Sequence, residues 1–433
     1  MRKARLRDPL RRPVFRRLAA TYAVNELGDW MGIVALSVLV FDRTGSALAT
    51  AVLFLGTRFV PALLAPILVT RAEQPSPRHA LPVIYCGEAL AFGGLALLAT
   101  HFSLAGVVVL AIVDGTLALT GRALTRALAA TLLEPTGELR AGNAVLNVAF
   151  TGGAAVGPAI AGLAVAALGV PTALLLDAIS FYVVGWILVT AGELPHIQPE
   201  SGHMRERLRA GFSYIRSKLV LRRLLAAEGL AFIFFAAVIP VEVIYAKDTL
   251  GAGDAGYGLL LGSWGLGMVL GSLIFARARR APLPYLLFVS TMIVGAGYLG
   301  LAAAPTLVVA CAAASVGGAG NGVQWVAVVS AVQELTSASM QARVMSVLES
   351  VGAAMPGVGY LLGGLIAATV GPRTAFLVAG AGVLAVVIGA TALLGPSWSE
   401  ETGEAGEGFL GANNDIVLEL LPVSGPSNAT RRS

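Results

Sequence analysis

Twelve apolar stretches, most of them about as long as a bilayer core is thick, make up most of this chain. They run at 18–41, 47–70, 81–100, 103–128, 143–169, 171–192, 220–246, 255–276, 283–303, 305–332, 344–370 and 373–394. Inside lipid a backbone has no water to bond, so only helices or a closed barrel can cross. Runs of this length without alternating polarity select helices. Soluble domains average roughly 25% charged residues; this 433-residue chain has 13%, with 56% hydrophobic. The expected fold class is therefore an all-α polytopic membrane protein with twelve transmembrane helices.

The placement of basic residues orients it. Residues 1–17 hold eight Lys or Arg, and alternating the connections puts 26 of the 30 basic residues on that same side. The other side keeps Arg43, Lys247 and Arg373, while Arg58 falls within a segment. Positive charge marks the cytoplasmic side, so both termini are expected in the cytoplasm. The first apolar run is too long for a secretory signal and reads as a retained span. Arginine outnumbers lysine heavily, a usage that suggests a GC-rich bacterial genome and hence a bacterial inner (plasma) membrane. The chain divides into a basic tail (1–17), a six-helix half (18–192), a linker (193–219), a second half (220–394) and a C-tail (395–433) expected to be disordered. In the linker Leu208, Phe212 and Ile215 stand at helical spacing within a basic stretch, which predicts a helix on the membrane surface.

Several function classes are disfavoured. The net charge of +5 is topological and does not indicate a nucleic-acid partner. Cys86 and Cys311 lie in different segments, and His79, His101, His196 and His203 lack metal-ligand spacing. There is no phosphate-binding G-x-x-x-x-G-K-[ST] loop, and no nucleophile constellation appears. An enzyme or ATP-driven pump is not indicated, and no cofactor or metal is implied.

The chain repeats itself. A shift of 202 residues aligns AVLNVAFTGGAAVGPAIAGLAVAALGVPTA with SVLESVGAAMPGVGYLLGGLIAATVGPRTA without a gap, and it carries Glu26 onto Glu228. Two six-helix halves in the same orientation form a parallel repeat. Within the first copy, Gly153, Gly157 and Ala161 recur every four residues, with Pro158 and Gly162 alongside. Such a stripe lets two helices approach closely, and the proline bends the helix beside it. Packing alone would also account for the stripe.

The pattern G-x-x-x-G-P-x-x-A-G resembles the fifth-helix antiporter motif of the major facilitator superfamily. The stretches at 26–51, 138–147, 208–225 and 248–272 are similar to its bacterial branch of macrolide-efflux and enterobactin-type exporters. The resemblance covers about residues 16–394 and implies alternating access by a multidrug, antibiotic or siderophore exporter. One departure is the loop after segment 2, where the family reads G-x-x-x-D-R-x-G-R-R. Here Ala65 and Val69 replace the glycine and the aspartate, and Arg71 keeps a comparable charge. In the second half Gly271 and a basic run remain, again without the acid.

Ionisable residues inside spans are costly, and are functional candidates by default. Glu26 and Asp29 share a helix face, and an Asp29–Arg58 ion pair is expected near mid-depth, as a proton-linked switch or as permanent packing. A desolvated, unpaired carboxyl group takes up a proton more readily, which makes Glu26 the better carrier. Asp114 is the next ion-coupling candidate, while Arg122 and Arg126 are expected nearer the cytoplasmic end, where they could snorkel. Glu228, Trp264, Gln324 and Trp325 are candidates for the substrate cavity, and simple packing remains open for each. Glu88, Asp177, Glu242 and Glu349 stand closer to segment ends. The leading expectation is a monomeric, proton-coupled exporter of a small amphipathic molecule. The alternatives are a proton-coupled uptake symporter and a non-transporting sensor or scaffold.

Overall fold

The computed structural model describes residues 7–72, 77–189, 204–278, 281–337 and 340–405. The start of the basic tail, the loop residues 73–76, 279–280 and 338–339, linker residues 190–203 and the tail after 405 lie outside the described residues. Among those described, twelve helices are long and apolar enough to cross a membrane. Spans 1–6 are Pro13–Thr44, Ala47–Ala65, Ala80–Thr100, Leu104–Thr136, Ala141–Leu168 and Val170–Val189. Spans 7–12 are Leu219–Thr249, Gly253–Arg277, Leu283–Ala303, Leu307–Glu334, Arg343–Thr369 and Pro372–Ala392. The expected all-α fold is what forms. The last helix continues to Ala405, into the segment expected to be irregular; extending a helix already formed costs little.

Short turns join the spans on the face opposite the N-terminus. Ser46, Ser103 and Thr306 cap the first turns of spans 2, 4 and 10 by accepting from backbone N–H groups. Gly169 and Gly371, which the 202-residue shift superposes, both take positive φ (78° and 116°) at equivalent turns. Only glycine adopts such angles without strain, so the sequence repeat is also a backbone repeat. The basic residues left on this face have defined partners. Arg43 donates to the Ala99 carbonyl near the end of span 3 (2.6 Å), and Arg373 to the Ala302 carbonyl near the end of span 9 (2.7 Å). Each satisfies a carbonyl that its helix leaves unbonded.

Glycine contacts build the packing. On span 5, methyl groups placed on Gly153 and Gly157 would lie 3.1 Å from Glu26 Cβ and 2.8 Å from Trp30 Cβ, so this stripe seats span 5 on span 1. One turn further, Gly162 faces the other half, where its added methyl would lie 2.7 Å from the Cα of Gly258 on span 8. The repeat-related Gly364 of span 11 faces Ala51 and Ala47 of span 2, at 2.8 and 3.1 Å by the same construction. The halves thus meet along two small-residue seams nearer the opposite face. Lys247 adds a clasp there, 2.5 Å from both Asp42 of span 1 and Asp254 of span 8.

The linker helix, Met204–Ser217, docks on the second half. A methyl on Gly211 would lie 2.7 Å from the Arg343 carbonyl, and Ile215 is buried among Val344, Val347 and Leu348. Phe212 stays exposed. Its apolar face therefore meets protein as well as the surroundings.

A side chain at the seam has nowhere to go. Gly258→Val should lower the stability of the purified protein by about 1–3 kcal/mol, read as a lower thermal midpoint in detergent. Gly93→Ala, with no neighbouring atom within 4 Å of the added methyl, should leave that midpoint almost unchanged.

Candidate functional site

A cavity of about 400 Å³ lies between the halves. Spans 1–4 supply one wall, with Asp29, Arg58, Phe92, Asp114 and Arg122; spans 7, 10 and 11 supply the other, with Phe232, Trp325, Glu349 and Tyr360. The volume suits a drug-sized molecule. Its charged groups belong to the first half except for Glu349.

Arg122 organises that charged wall. Its guanidinium forms a short ion pair with Asp29, and its Nε lies 3.3 Å from Glu26 Oε1. Asn25 Nδ2 donates to the same Asp29 oxygen at 3.4 Å. Glu26 is fully buried, and Gly153 of span 5 leaves room for its backbone. One guanidinium thus serves two carboxyl groups, so the cluster is neutral when one of the two holds a proton. One turn nearer the N-terminal face, Arg126 stacks over the Tyr22 ring at 5.9 Å and donates to its hydroxyl at 3.2 Å.

The expected Asp29–Arg58 pair does not form, because Arg122 takes Asp29. The sequence reading set Arg122 near the cytoplasmic end of segment 4, whereas its helix runs on to Leu133 and its side chain reaches both acids of span 1. Arg58 instead stacks over the Trp30 ring at 5.7 Å, on a π-helical stretch, Leu55–Phe59, that interrupts span 2. A methyl on Gly115 of span 4 would lie 2.6 Å from the Thr57 carbonyl, so the two helices touch at this bulge. Asp114, beside Gly115, lines the cavity with Oδ1 buried and without a hydrogen-bond partner.

Two acids expected near span ends are buried in the first half. Glu88 has neither carboxyl oxygen hydrogen-bonded, and Asp177, packed against Gly28, has Oδ2 without a partner while Ser180 donates to Oδ1 at 3.2 Å. Span 6 is apolar all round, so its sequence carries little signal of which face turns inward.

The second half places its candidates differently. Gln324 Nε2 donates to both oxygens of Glu228, at 3.1 and 2.8 Å. The pair lines a separate cavity of about 560 Å³ among spans 7, 9, 10 and 12. Trp264 lies outside the central cavity, stacked on Tyr298 at 5.1 Å and tilted against Phe235. Trp325 is the one of the four that lines the central cavity, tilted against Phe232 at 6.2 Å. The 202-residue shift carries Arg122 onto Gln324 as it carries Glu26 onto Glu228. The same spatial pair therefore recurs in both halves, charged in one and amide-bridged in the other.

Two repeated helical halves around a charged central cavity define the architecture of a secondary transporter. The chain belongs to the transmembrane secretion effector family of the major facilitator superfamily, matched over residues 6–426. It is thus a multi-pass membrane transporter rather than an enzyme. Among solved structures, a point mutant of the nucleoside transporter NupG superposes with a TM-score of 0.71 at 11% identity, covering 88% of this chain and 99% of that one. A bacterial homologue of the lysosomal transporter Spinster, inward-facing and unoccupied, gives 0.67 at 14%, covering 92% and 97%. A bacterial homologue of the iron transporter ferroportin, also inward-facing, gives 0.68 at 15%, covering 88% and 98%. These share the fold. No curated protein matches the chain significantly.

Removing one partner of a buried ion pair typically costs about 3–5 kcal/mol, because the other charge is left unpaired. Arg122→Ala should therefore lower the thermal midpoint sharply. Adding Glu26→Gln and Asp29→Asn should restore most of the loss, since no carboxylate then lacks a cation. A triple variant no more stable than Arg122→Ala would mean that Arg122 acts through packing instead.

Proposed function

We propose that this protein is a proton-coupled exporter of a small amphipathic molecule such as a drug, antibiotic or siderophore. It acts as a monomer in a bacterial inner membrane with both termini in the cytoplasm. The observation that carries this reading is the Glu26–Arg122–Asp29 cluster in the wall of the central cavity. A proton arriving at either acid frees Arg122 from one partner and changes the charge that a moving helix must desolvate. Ligand-linked populations shift only through such differential interactions. On this orientation the state opens to the cytoplasm, since the seams and the Lys247 clasp lie toward the other face. Cargo then enters from the cytoplasm, and protons returning from outside reset the cluster.

The resemblance of residues 26–51, 138–147 and 208–225 to bacterial exporters supports outward transport. So does span 5, whose glycine stripe contacts both span 1 at the acids and span 8 across the seam.

The test is efflux from preloaded cells expressing the protein, across fluorescent cations, macrolides and catecholate siderophores, with and without a protonophore. At least one cargo should be extruded in a protonophore-sensitive way. Glu26→Gln and Asp29→Asn, at matched membrane abundance, should each slow it by about tenfold or more, equivalent to about 1.4 kcal/mol of lost coupling. Accumulation in place of depletion would make the protein an importer. Flux indifferent to the protonophore and to both substitutions would remove the coupling role of the cluster.

A further inference from the structure

The central cavity contains a cation that, among the described residues, has no carboxylate within ion-pair distance. Arg58 sits on the π-helical stretch of span 2 and lines the cavity. Among the described residues its one close partner is the face of Trp30, 5.7 Å away. Arg122, the other cavity guanidinium, is already engaged by Asp29 and Glu26. The repeat gives no counterpart, since the shift places Leu260 at the position of Arg58.

Two features make this arrangement a receptor. An arginine stacked on an aromatic face keeps its in-plane N–H groups free, and those form a fork matched to carboxylate, sulfonate or phosphate. A π-bulge redirects the side chains of its turn and is frequent at functional sites. Asp114 and Glu349 also line the cavity, but their chemistry differs in kind. A carboxyl group without a partner can become neutral by taking a proton; a guanidinium in a protein cannot lose its charge. The permanent charge is therefore the one suited to an anionic ligand group.

The far wall indicates what the rest of the cargo is. Phe232, Trp325 and Tyr360 of the second half face the cavity, with Phe92 alongside from the first. They offer flat apolar surface to a ring or a chain and carry no charge.

We infer that the transported molecule is an amphipathic organic anion whose acidic head is held by Arg58 and whose apolar body lies against Phe232 and Trp325. This rests on reading the central cavity as the transport site. It narrows the substrate class without depending on the coupling ion or the direction.

The experiment is equilibrium binding to the full-length protein in nanodiscs of zwitterionic lipid, read as energy transfer from tryptophan to a dansyl group. Three probes share one body: dansylglycine, its amide, and a dansyl compound with a trimethylammonium head. The carboxylate should bind on the order of tenfold tighter than the amide, the scale of a hydrogen bond to a charged group. Arg58→Gln should abolish that preference. Arg58→Lys, which keeps the charge and loses the planar fork, should retain part of it, so the conclusion does not hang on one variant. Acetate and chloride should compete poorly, because they lack the body. Tighter binding of the amide or the cation, no head-dependent binding, a preference that survives in Arg58→Gln, or equal competition by acetate would each overturn the inference. Binding needs neither a proton gradient nor flux. A protein that binds dansylglycine through Arg58 yet fails the efflux test separates this inference from the coupling mechanism.

Discussion

One guanidinium between two carboxyl groups is the contact on which the organisation of the first half turns. Charge in a membrane interior is costly unless it is paired or reaches water. Arg122 reaches Asp29 and Glu26 only because spans 1 and 4 lie side by side at that depth. The close approach of span 5 fixes the height of span 1, since Gly153 and Gly157 admit its backbone at Glu26 and Trp30. The same helix that carries the antiporter-like stripe therefore positions the acids and also the ring under Arg58. A bulkier residue at Gly153 or Gly157 would displace both charged groups at once.

The two halves share a frame and differ in charge. Gly162 and Gly364 make matching seams, Gly169 and Gly371 make matching turns, and Glu26 and Glu228 occupy matching sites. Yet Asp29, Arg58, Asp114 and Arg122 correspond to Ala231, Leu260, Val316 and Gln324. An amide can bridge a carboxyl group whether or not that group is ionised, so the Glu228–Gln324 contact persists through a change of protonation. The Arg122 cluster responds to it. The charged groups lining the central cavity are concentrated in one half, while the other supplies a largely apolar wall with Glu349 as its acid.

Much of the frame was legible from the sequence, because lipid leaves the backbone few options. Apolar length marked the twelve spans, and the ungapped repeat marked the halves. The site was legible in part. Glu26, Asp29, Arg58 and Asp114 stood out simply as ionisable residues within apolar runs, and Asp29, Arg58 and Asp114 line the cavity, while Glu26 stands against Arg122 in its wall. Their partners did not stand out. Pairing depends on which helices lie side by side and which faces they turn to each other, and neither is written in an apolar run. Burial of Asp177 was hidden for a related reason: which face of an all-round apolar helix turns inward is set by neighbours, not by period. Trp264 and Trp325 are equally aromatic, and only tertiary packing separates the one stacked on Tyr298 from the one that borders the cavity.

The seam also bears on how a proton could be felt across the molecule. Span 5 touches span 1 through Gly153 and Gly157 and span 8 along a seam from Ala154 and Ala155, opposite Gly265, to Gly162, opposite Gly258. Pro158 lies between these contacts, and its carbonyl is in direct contact with the position of Gly258. At these contacts the helices meet backbone to backbone, with few side chains between them. The Lys247 clasp joins span 1 to spans 7 and 8 toward the opposite face. Span 5 thus lies against both the mid-depth cluster on span 1 and the contacts with span 8 toward the opposite face.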